Sequence, residues 1–184
     1  MTAVDGSYVS GRTRLWVAGG VVAAAAAVGA FVVLADDAAT IRATLRVLAD
    51  PVTVVTEGVS ADAVEGQRLG VGDTIRTGDT GRAVIEYSDG SITRLDHATE
   101  FTILTLGPAG GPRVVEGGQT SGNSYHRVVG IAEAGSRFDV ATPSASAAVQ
   151  GTIYAVFVSP DGSTTIAVVD GAVAVTYPGG VVAL

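Results

Sequence analysis

The side chains most suggestive of chemistry are the triplet Asp79-Thr80-Gly81 and two histidines. Aspartic proteases use an Asp-Thr-Gly triplet to hold one carboxylate of the pair that activates water. Such a site needs a second carboxylate and an apolar strand leading into the triplet, whereas Thr77 and Gly78 precede it here. We therefore interpret the triplet as a turn and predict no catalytic residue.

Metal, cofactor and nucleophile chemistry find equally little support. His97 follows Asp96, but adjacent residues of a strand point to opposite sides. His126 adjoins a polar stretch, cysteine is absent, and no repeated Asp-x-Asp spacing suggests calcium. Ser144 and Ser146 lack a sequence cue for activation. We predict a protein that is not an enzyme and that uses no cofactor and no metal.

The segment Leu15–Ala35 holds twenty-one residues without a charge. About 20 apolar residues span a bilayer core of about 30 Å. Arg12 and Arg14 precede the segment, and acidic residues follow it at 36 and 37. The excess of positive charge before the span predicts a cytoplasmic tail over residues 1–14, a transmembrane helix over 15–35 and an extracytoplasmic remainder.

Two alternatives concern this same segment. It also has features of an export signal, which would be cleaved after Ala35 and leave a secreted protein. If it is retained, small residues such as Ala25 and Gly29 lie at the four-residue spacing that lets helices approach, so a homodimer through the span is an open alternative. Both routes carry the rest of the chain out of the cytosol.

Composition narrows the choice of partner. The chain of 184 residues has a formal net charge of −7, and its eleven basic residues are all arginine. A net negative surface argues against nucleic acid as a partner. Without cysteine, the exported part must be stabilised by burial and backbone pairing.

Beyond a short linker over residues 36–45, valine-, isoleucine- and threonine-rich runs alternate with polar residues and are broken by glycine. Residues 46–184 are therefore predicted to form one all-β domain, built as a roll or solenoid-like fold or as a sandwich. The predicted strands are Val52–Thr56, Ala83–Tyr87, Ile92–Leu95, Phe101–Leu106, Arg113–Val115, Phe138–Ala141, Ile153–Val158, Thr165–Val169 and Ala172–Thr176.

Local features refine this prediction. Ile153–Val158 is apolar on both faces, which is typical of a central strand covered on both sides. Asp89-Gly90, Asp161-Gly162 and Asp170-Gly171 predict two-residue type I′ hairpin turns. The first two lie in similar surroundings, which indicates either a solenoid repeat or one turn used twice in a sheet.

Three blocks of sequence resemble a FecR-like domain. The first runs from Leu69 to Leu95 and includes Gly72-Asp73-Thr74-Ile75 and Asp89-Gly90-Ser91-Ile92. The second runs from Phe138 to Val156, and the third covers Val168–Val175. The resemblance implies an extracytoplasmic β-rich domain joined to the membrane by one helix. In well-known members that domain receives a signal from an outer-membrane transporter, and a cytoplasmic helical domain controls a sigma factor.

The resemblance and the residues together predict a membrane-anchored module for protein interaction and signal perception, with a membrane or envelope protein as partner. Only fourteen residues precede the span, so we expect no sigma-factor-binding domain in this chain. The alternative is a cell-envelope module that binds a glycan or protein without signalling output.

One region departs from the family pattern and is the candidate contact site. The family often has an aromatic residue soon after a Gly-Gln pair, but here Tyr125 follows Gln119 only after a Ser/Gly/Asn-rich stretch. This stretch, 120–124, predicts a loop, and exposed loops on a rigid scaffold often carry binding residues. The candidate interaction residues are Thr120, Asn123, Tyr125 and His126.

Overall fold

A computed structural model describes residues 40–108, 111–130 and 133–184 of the chain, and Thr40–Leu184 form one compact unit. Every helix or strand element in these ranges is a strand, which confirms the all-β prediction for them. The strands are β1 (Ala43–Ala49), β2 (Val52–Thr56), β3 (Val59–Asp62), β4 (Arg68–Leu69), β5 (Thr74–Thr77), β6 (Arg82–Tyr87), β7 (Ile92–Leu95), β8 (Glu100–Leu106), β9 (Val114–Arg127), β10 (Arg137–Ala141), β11 (Ser146–Val149), β12 (Ile153–Val158), β13 (Thr164–Asp170), β14 (Val173–Tyr177) and β15 (Gly180–Ala183).

The predicted tail 1–14 and the predicted membrane helix 15–35 lie outside the described residues. Within the part of the chain that the structure describes, no helix has the length and apolar character needed to cross a membrane.

The predicted linker, residues 36–45, ends too late, because β1 begins at Ala43. Ile41 and Leu45 are buried, and β1 pairs with β6 from Ala43 onward. The segment 43–47 alternates apolar and polar residues, but it follows so closely on the apolar span that its first residues were assigned to the linker. Its partner strand, about 40 residues further along, makes it part of the domain.

The strands form two sheets that face each other. The first sheet has the order β4-β1-β6-β7-β9-β12-β13, and the second has the order β3-β2-β5-β8-β9-β10-β11-β14-β15. Strands far apart in sequence pair with each other, as β1 does with β6, instead of stacking in consecutive coils. Of the predicted architectures, the sandwich therefore describes the fold and the solenoid does not.

Strand β9 belongs to both sheets. Its first half, 114–121, pairs with β8 and β10 in the second sheet, and its second half, 122–127, pairs with β7 and β12 in the first. The change occurs at Gly122, whose φ is +78°. A Cβ there would stand 2.5 Å from the Ala98 carbonyl oxygen. Glycine is thus required where the strand bends from one sheet to the other.

The core lies between the two sheets and takes alternate residues from each strand. A contact between the Tyr87 and Phe138 rings, with centroids 5.4 Å apart, joins β6 of one sheet to β10 of the other. With no cysteine in the chain, this burial supplies the stabilisation that a disulfide would give elsewhere. The largest buried apolar side chains are Leu45, Ile85, Leu95 and Tyr154 in the first sheet, and Ile75, Phe101, Ile103, Val115, Phe138 and Val140 in the second.

The Asp-Gly turns differ from the predicted type I′. That turn needs positive φ at both central residues, but in the Asp89-Gly90 turn only Gly90 has it, at 87°. Gly90 N donates to Tyr87 O (2.9 Å) and Tyr87 N donates to Ser91 O (3.0 Å). This is a three-residue loop in which a type I turn is followed by a left-handed glycine.

The turn at Asp161-Gly162 has the same hydrogen bonds, with Gly162 N donating to Ser159 O and Ser159 N to Ser163 O. Both turns join hairpins of the first sheet, β6-β7 and β12-β13, which confirms that one turn is used twice. Asp170-Gly171 forms no hairpin, because β13 lies in the first sheet and β14 in the second.

Strand β12 is interior, as predicted, since β9 and β13 pair with its two edges. One of its faces lies in the core and the other is only partly covered, since Ala155 on that second face is buried and Phe157 is half-buried. Tyr154, Val156 and Val158 face the core, whereas Ile153 on the other face is 40% exposed. The apolar outer face of this strand is therefore partly exposed to solvent, and it lies beside Tyr125.

Candidate functional site

The predicted interaction loop is wrong as secondary structure, because Thr120, Asn123, Tyr125 and His126 all lie on β9. Serine, glycine and asparagine disfavour strands, and that preference produced the loop prediction. Pairing along both edges of β9 overrides it, with β8 and β10 in one half and β7 and β12 in the other.

The structure also separates these four residues. The Thr120 hydroxyl donates to Glu100 Oε1 (3.0 Å) on the outer face of the second sheet, whereas Tyr125 lies on the outer face of the first. Asn123 is half-buried at the bend, where its backbone N donates to Thr99 Oγ1 (2.9 Å). His126 is buried in the core, with only 1% exposure. They do not form one surface: of the four, only Tyr125 is exposed on the groove described below, which the buried His126 also lines.

His126 is the centre of a buried polar network. The side-chain amide of Gln119 donates to the carbonyl oxygens of Gly122 (2.6 Å) and Val156 (3.3 Å), which turns its Oε1 toward Ser124. The Ser124 hydroxyl therefore donates to Gln119 Oε1 (2.5 Å), and its oxygen can only accept from His126 Nε2 (2.6 Å).

This network determines the histidine tautomer. Since Nε2 carries the proton, Nδ1 accepts from the Thr93 hydroxyl at 3.0 Å. The ring stacks on Tyr154, with centroids 4.7 Å apart, and contacts the edge of Phe138. Burial lowers the pKa of His126 to about 3. The ring is thus a neutral structural group that joins the two sheets.

Tyr125 lies in a groove on the outer face of the first sheet. Its ring is 41% exposed and meets Phe157 of β12 edge to face, with centroids 6.0 Å apart. Beside it is a depression of about 220 Å³ whose floor is Ala155 and whose apolar walls include Ile153 and Val169. We call this depression the aliphatic pocket.

A second depression, about 530 Å³, adjoins the aliphatic pocket through Tyr125 and Arg94. Arg94 stands directly across from Tyr125 in the β7-β9 register, and Arg127 lies across from Ile92. We call the two depressions together the outer groove. It combines an exposed aromatic ring, an aliphatic pocket and arginine side chains on one sheet face.

One end of the outer groove is closed by an ion pair between Arg82 and Asp96 at 2.8 Å. The hydrogen bond from Arg82 lowers the pKa of the Asp96 carboxyl. His97 Nδ1 lies 3.4 Å from the same carboxylate, although we expected the two side chains to diverge. They approach because β7 ends at Leu95 and both residues follow it in a turn.

The other residues considered for catalysis make structural contacts. Asp79 is exposed in the turn between β5 and β6, and the Thr80 hydroxyl donates to Asp50 O at 2.8 Å. Ser144 Oγ donates to Thr164 Oγ1 at 2.8 Å. Within the described ranges, no group of three or more histidine, aspartate or glutamate side chains is placed to hold a metal ion.

Three neighbours of Tyr125 were not predicted from the sequence, namely Arg94, Arg127 and Ile153. One signal was available, because Arg94 lies between Thr93 and Leu95 and must point away from the core when they are buried. No pattern within a few neighbouring residues predicts that β7 and β12 pair with the two edges of β9.

Comparison with known proteins identifies a family and a similar fold. The family described as FecR protein matches residues 73–174, more than half of the chain. Two crystal structures of a candidate anti-sigma factor from Parabacteroides distasonis ATCC 8503, at 1.65 Å and 2.50 Å resolution, are similar with a TM-score of 0.50 and 23% identity. In both, the match covers 60% of this chain and 50% of that chain, so this chain spans about half the length of these neighbours. Among curated proteins, no relative matches.

Proposed function

This chain belongs to the FecR protein family, and from that premise we propose that it is a membrane-anchored regulator of signalling whose β domain binds a protein partner outside the cytoplasm. Two further points support the proposal. A candidate anti-sigma factor has a similar fold, and the uncharged segment 15–35 has the length of a membrane span. In this proposal the described domain makes the external contact; neither sigma-factor control nor a catalytic step is assigned to it.

The single observation that carries the proposal is the outer groove. Interface centres are enriched in aromatic residues and arginine, and large apolar side chains exposed together mark contact surfaces. Tyr125, Ile153 and Val169 are exposed by 41%, 40% and 76% on one sheet face, beside Arg94. No bound cofactor is needed to explain this composition, whereas a protein contact accounts for it.

Site-specific photo-cross-linking tests the contact. In cells producing the full chain, Tyr125→benzoylphenylalanine is expected to give a discrete cross-linked product with one membrane or envelope protein. The control is Leu104→benzoylphenylalanine, since Leu104 is 45% exposed on the outer face of the second sheet. Identical products from both positions, or none from Tyr125, would contradict the proposal.

Membrane topology is tested separately. Trypsin added to intact spheroplasts is expected to cleave the described domain while an epitope fused before residue 1 stays protected. A chain that resists trypsin until the cells are lysed would contradict the extracytoplasmic location. Loss of the epitope from the mature protein would instead indicate cleavage after Ala35.

One observation favours a second candidate, a cell-envelope module that binds a carboxylated glycan. The exposed ring of Tyr125 could stack on a sugar, and Arg94 opposite it could bind an acidic substituent. Retention of the full-length protein on immobilised peptidoglycan fragments, lost in Tyr125→Ser and kept in Leu104→Ser, would support this candidate.

A further inference from the structure

Arginine is concentrated on one face of this acidic protein. Of the nine arginines in the described residues, six lie on the outer face of the first sheet or at its rim, although the whole chain has a net charge of −7. An acidic partner would be repelled by most of the surface and attracted here. The six are Arg42, Arg46, Arg68, Arg82, Arg94 and Arg127.

Two of these arginines are available to a ligand. Arg46 pairs with Glu65 and Glu86, and Arg82 pairs with Asp96. Within the described residues, Arg94 and Arg127 have no carboxylate at ion-pair distance, and the one hydrogen bond of the Arg127 guanidinium is a long one, 3.4 Å, to Gly90 O. Both line the aliphatic pocket together with Tyr125.

We propose that the outer groove binds an extended acidic segment of a partner protein, with carboxylates on Arg94 and Arg127 and a neighbouring aliphatic side chain in the aliphatic pocket over Ala155. This inference rests on the proposed function and adds the chemistry of the partner. A guanidinium that has no carboxylate partner of its own can form a two-pronged hydrogen-bonded pair with a carboxylate of the ligand. The adjoining pocket fits an apolar side chain, because Ile92, Ile153 and Val169 form its walls.

The walls of the pocket favour a peptide over a sugar. A sugar ring presents hydroxyl groups that need hydrogen-bond partners when they are buried. The lining of the pocket combines Ala155 with the aliphatic side chains of Ile92, Ile153 and Val169, and its charged groups are Arg94 and Arg127. A leucine or valine side chain flanked by carboxylates matches this arrangement.

Peptide binding to the full-length protein in detergent micelles tests the inference by fluorescence anisotropy. The probe is a short fluorescein-labelled peptide of alternating glutamate and leucine. Matched probes replace every glutamate by glutamine or every leucine by serine. We expect the first probe to bind at least about tenfold more tightly than either of the others, and to weaken as salt rises from about 50 to about 300 mM.

Variants locate the binding site. The double variant Arg94→Gln, Arg127→Gln is expected to lose the preference for glutamate, and Ala155→Leu is expected to lose the preference for leucine by filling the pocket. Arg76→Gln is the matched control, since Arg76 lies on the outer face of the second sheet in a pair with Glu100, and it should bind as the wild type does. A thermal unfolding scan of each variant confirms that it is folded.

Equal affinity for the glutamate and glutamine probes would overturn the inference, and so would unchanged binding by the folded double variant. Displacement of the peptide only by an oligosaccharide of uronic acids, with tighter binding than the peptide, would assign the groove to a glycan instead. The two proposals can fail separately. A partner cross-linked from Tyr125 whose contact segment has no acidic residue would refute this chemistry and leave the proposed function in place.

Discussion

Acidification from pH 7 to pH 5 is expected to destabilise the fold chiefly through His126. Burial lowers the pKa of this histidine from 6.5 to about 3, so below pH 6.5 the unfolded chain takes up a proton that the folded chain does not. The contribution of the neutral ring to stability is therefore fully present above pH 6.5 and is lost progressively as the pH falls toward 3. The groups that face the ring are Thr93, Ser124, Tyr154, Phe101 and Phe138, and no carboxylate is among them to hold a charged imidazole.

The size of the effect follows from the shift in pKa. Between the pKa of the histidine in the unfolded chain and its pKa in the folded chain, each unit by which the pH falls removes about 1.4 kcal/mol from the free energy of unfolding. At pH 5, which lies 1.5 units below 6.5, the loss is about 2 kcal/mol. Since small domains are stable by only about 5–15 kcal/mol, this is a substantial fraction.

Urea unfolding of the full-length protein in mild detergent measures this loss. The unfolding is followed by far-ultraviolet circular dichroism at about pH 7, 6 and 5. With a urea dependence of about 1–3 kcal/mol per molar, the midpoint should fall by about 1 M across the range. The lowest pH stays above the isoelectric point of 4.6, where the protein would lose its net charge.

Two variants identify the group responsible. His126→Gln removes the titrating ring, so its stability should depend much less on pH even if it is lower throughout. His97→Gln is the control, because it makes the same replacement at the other histidine, whose ring is 51% exposed; the loss of stability between pH 7 and pH 5 should persist in it. An equally steep pH dependence in His126→Gln, or no dependence in the wild type, would refute the reasoning.

Three further measurements test the geometry. Gly122→Ala should lower the free energy of unfolding by more than about 2 kcal/mol, since alanine would be strained at φ +78° and would meet the backbone of the neighbouring turn. Gly130→Ala is the control and should change the free energy little, because the space around the new Cβ is open. Urea midpoints compare the two variants, and equal losses would contradict the account of the bend. Nitrogen-15 NMR should show the neutral His126 ring protonated at Nε2 at pH 7, and protonation at Nδ1 would contradict the network. Arg82→Gln should raise the pKa of the Asp96 carboxyl toward its ordinary value, which carbon-13 NMR titration measures. The variant should therefore lose the stability that the lowered pKa contributes at neutral pH, and its difference from the wild type should disappear as the pH falls through the folded-state pKa. An unchanged pKa would show that another group holds it.

Strands with strong local alternation were predictable from the sequence. Val52–Thr56, Ile92–Leu95 and Ile153–Val158 have their predicted bounds, because β-branched residues at a period of two and flanking turn residues are local properties. The family was equally accessible, since its motifs lie in order along the chain. The strand Ala43–Ala49 was not predicted, because it follows closely on the uncharged span and its pairing with β6 is a contact between residues about 40 positions apart.

The candidate site was predictable only in part. Tyr125 was selected for its position after Gln119, and the structure places it in the outer groove, but the same argument selected His126, which is buried. A loop would have allowed both to be exposed. In a strand, neighbouring residues face opposite sides, so the outward position of Tyr125 requires the inward position of His126.

The amino-acid sequence by itself determined an all-β domain of the FecR family, its main strands and the two repeated turns, because alternation, turn residues and motif order act over a few neighbouring residues. Only the tertiary structure decided that β9 bends at Gly122 between two sheets and that Arg94, Tyr125 and Ile153 meet on one face. Those three residues come from strands separated by about 30 positions, and their meeting depends on long-range register. That register is set by which hydrophobic faces can be buried together, a property of the whole core.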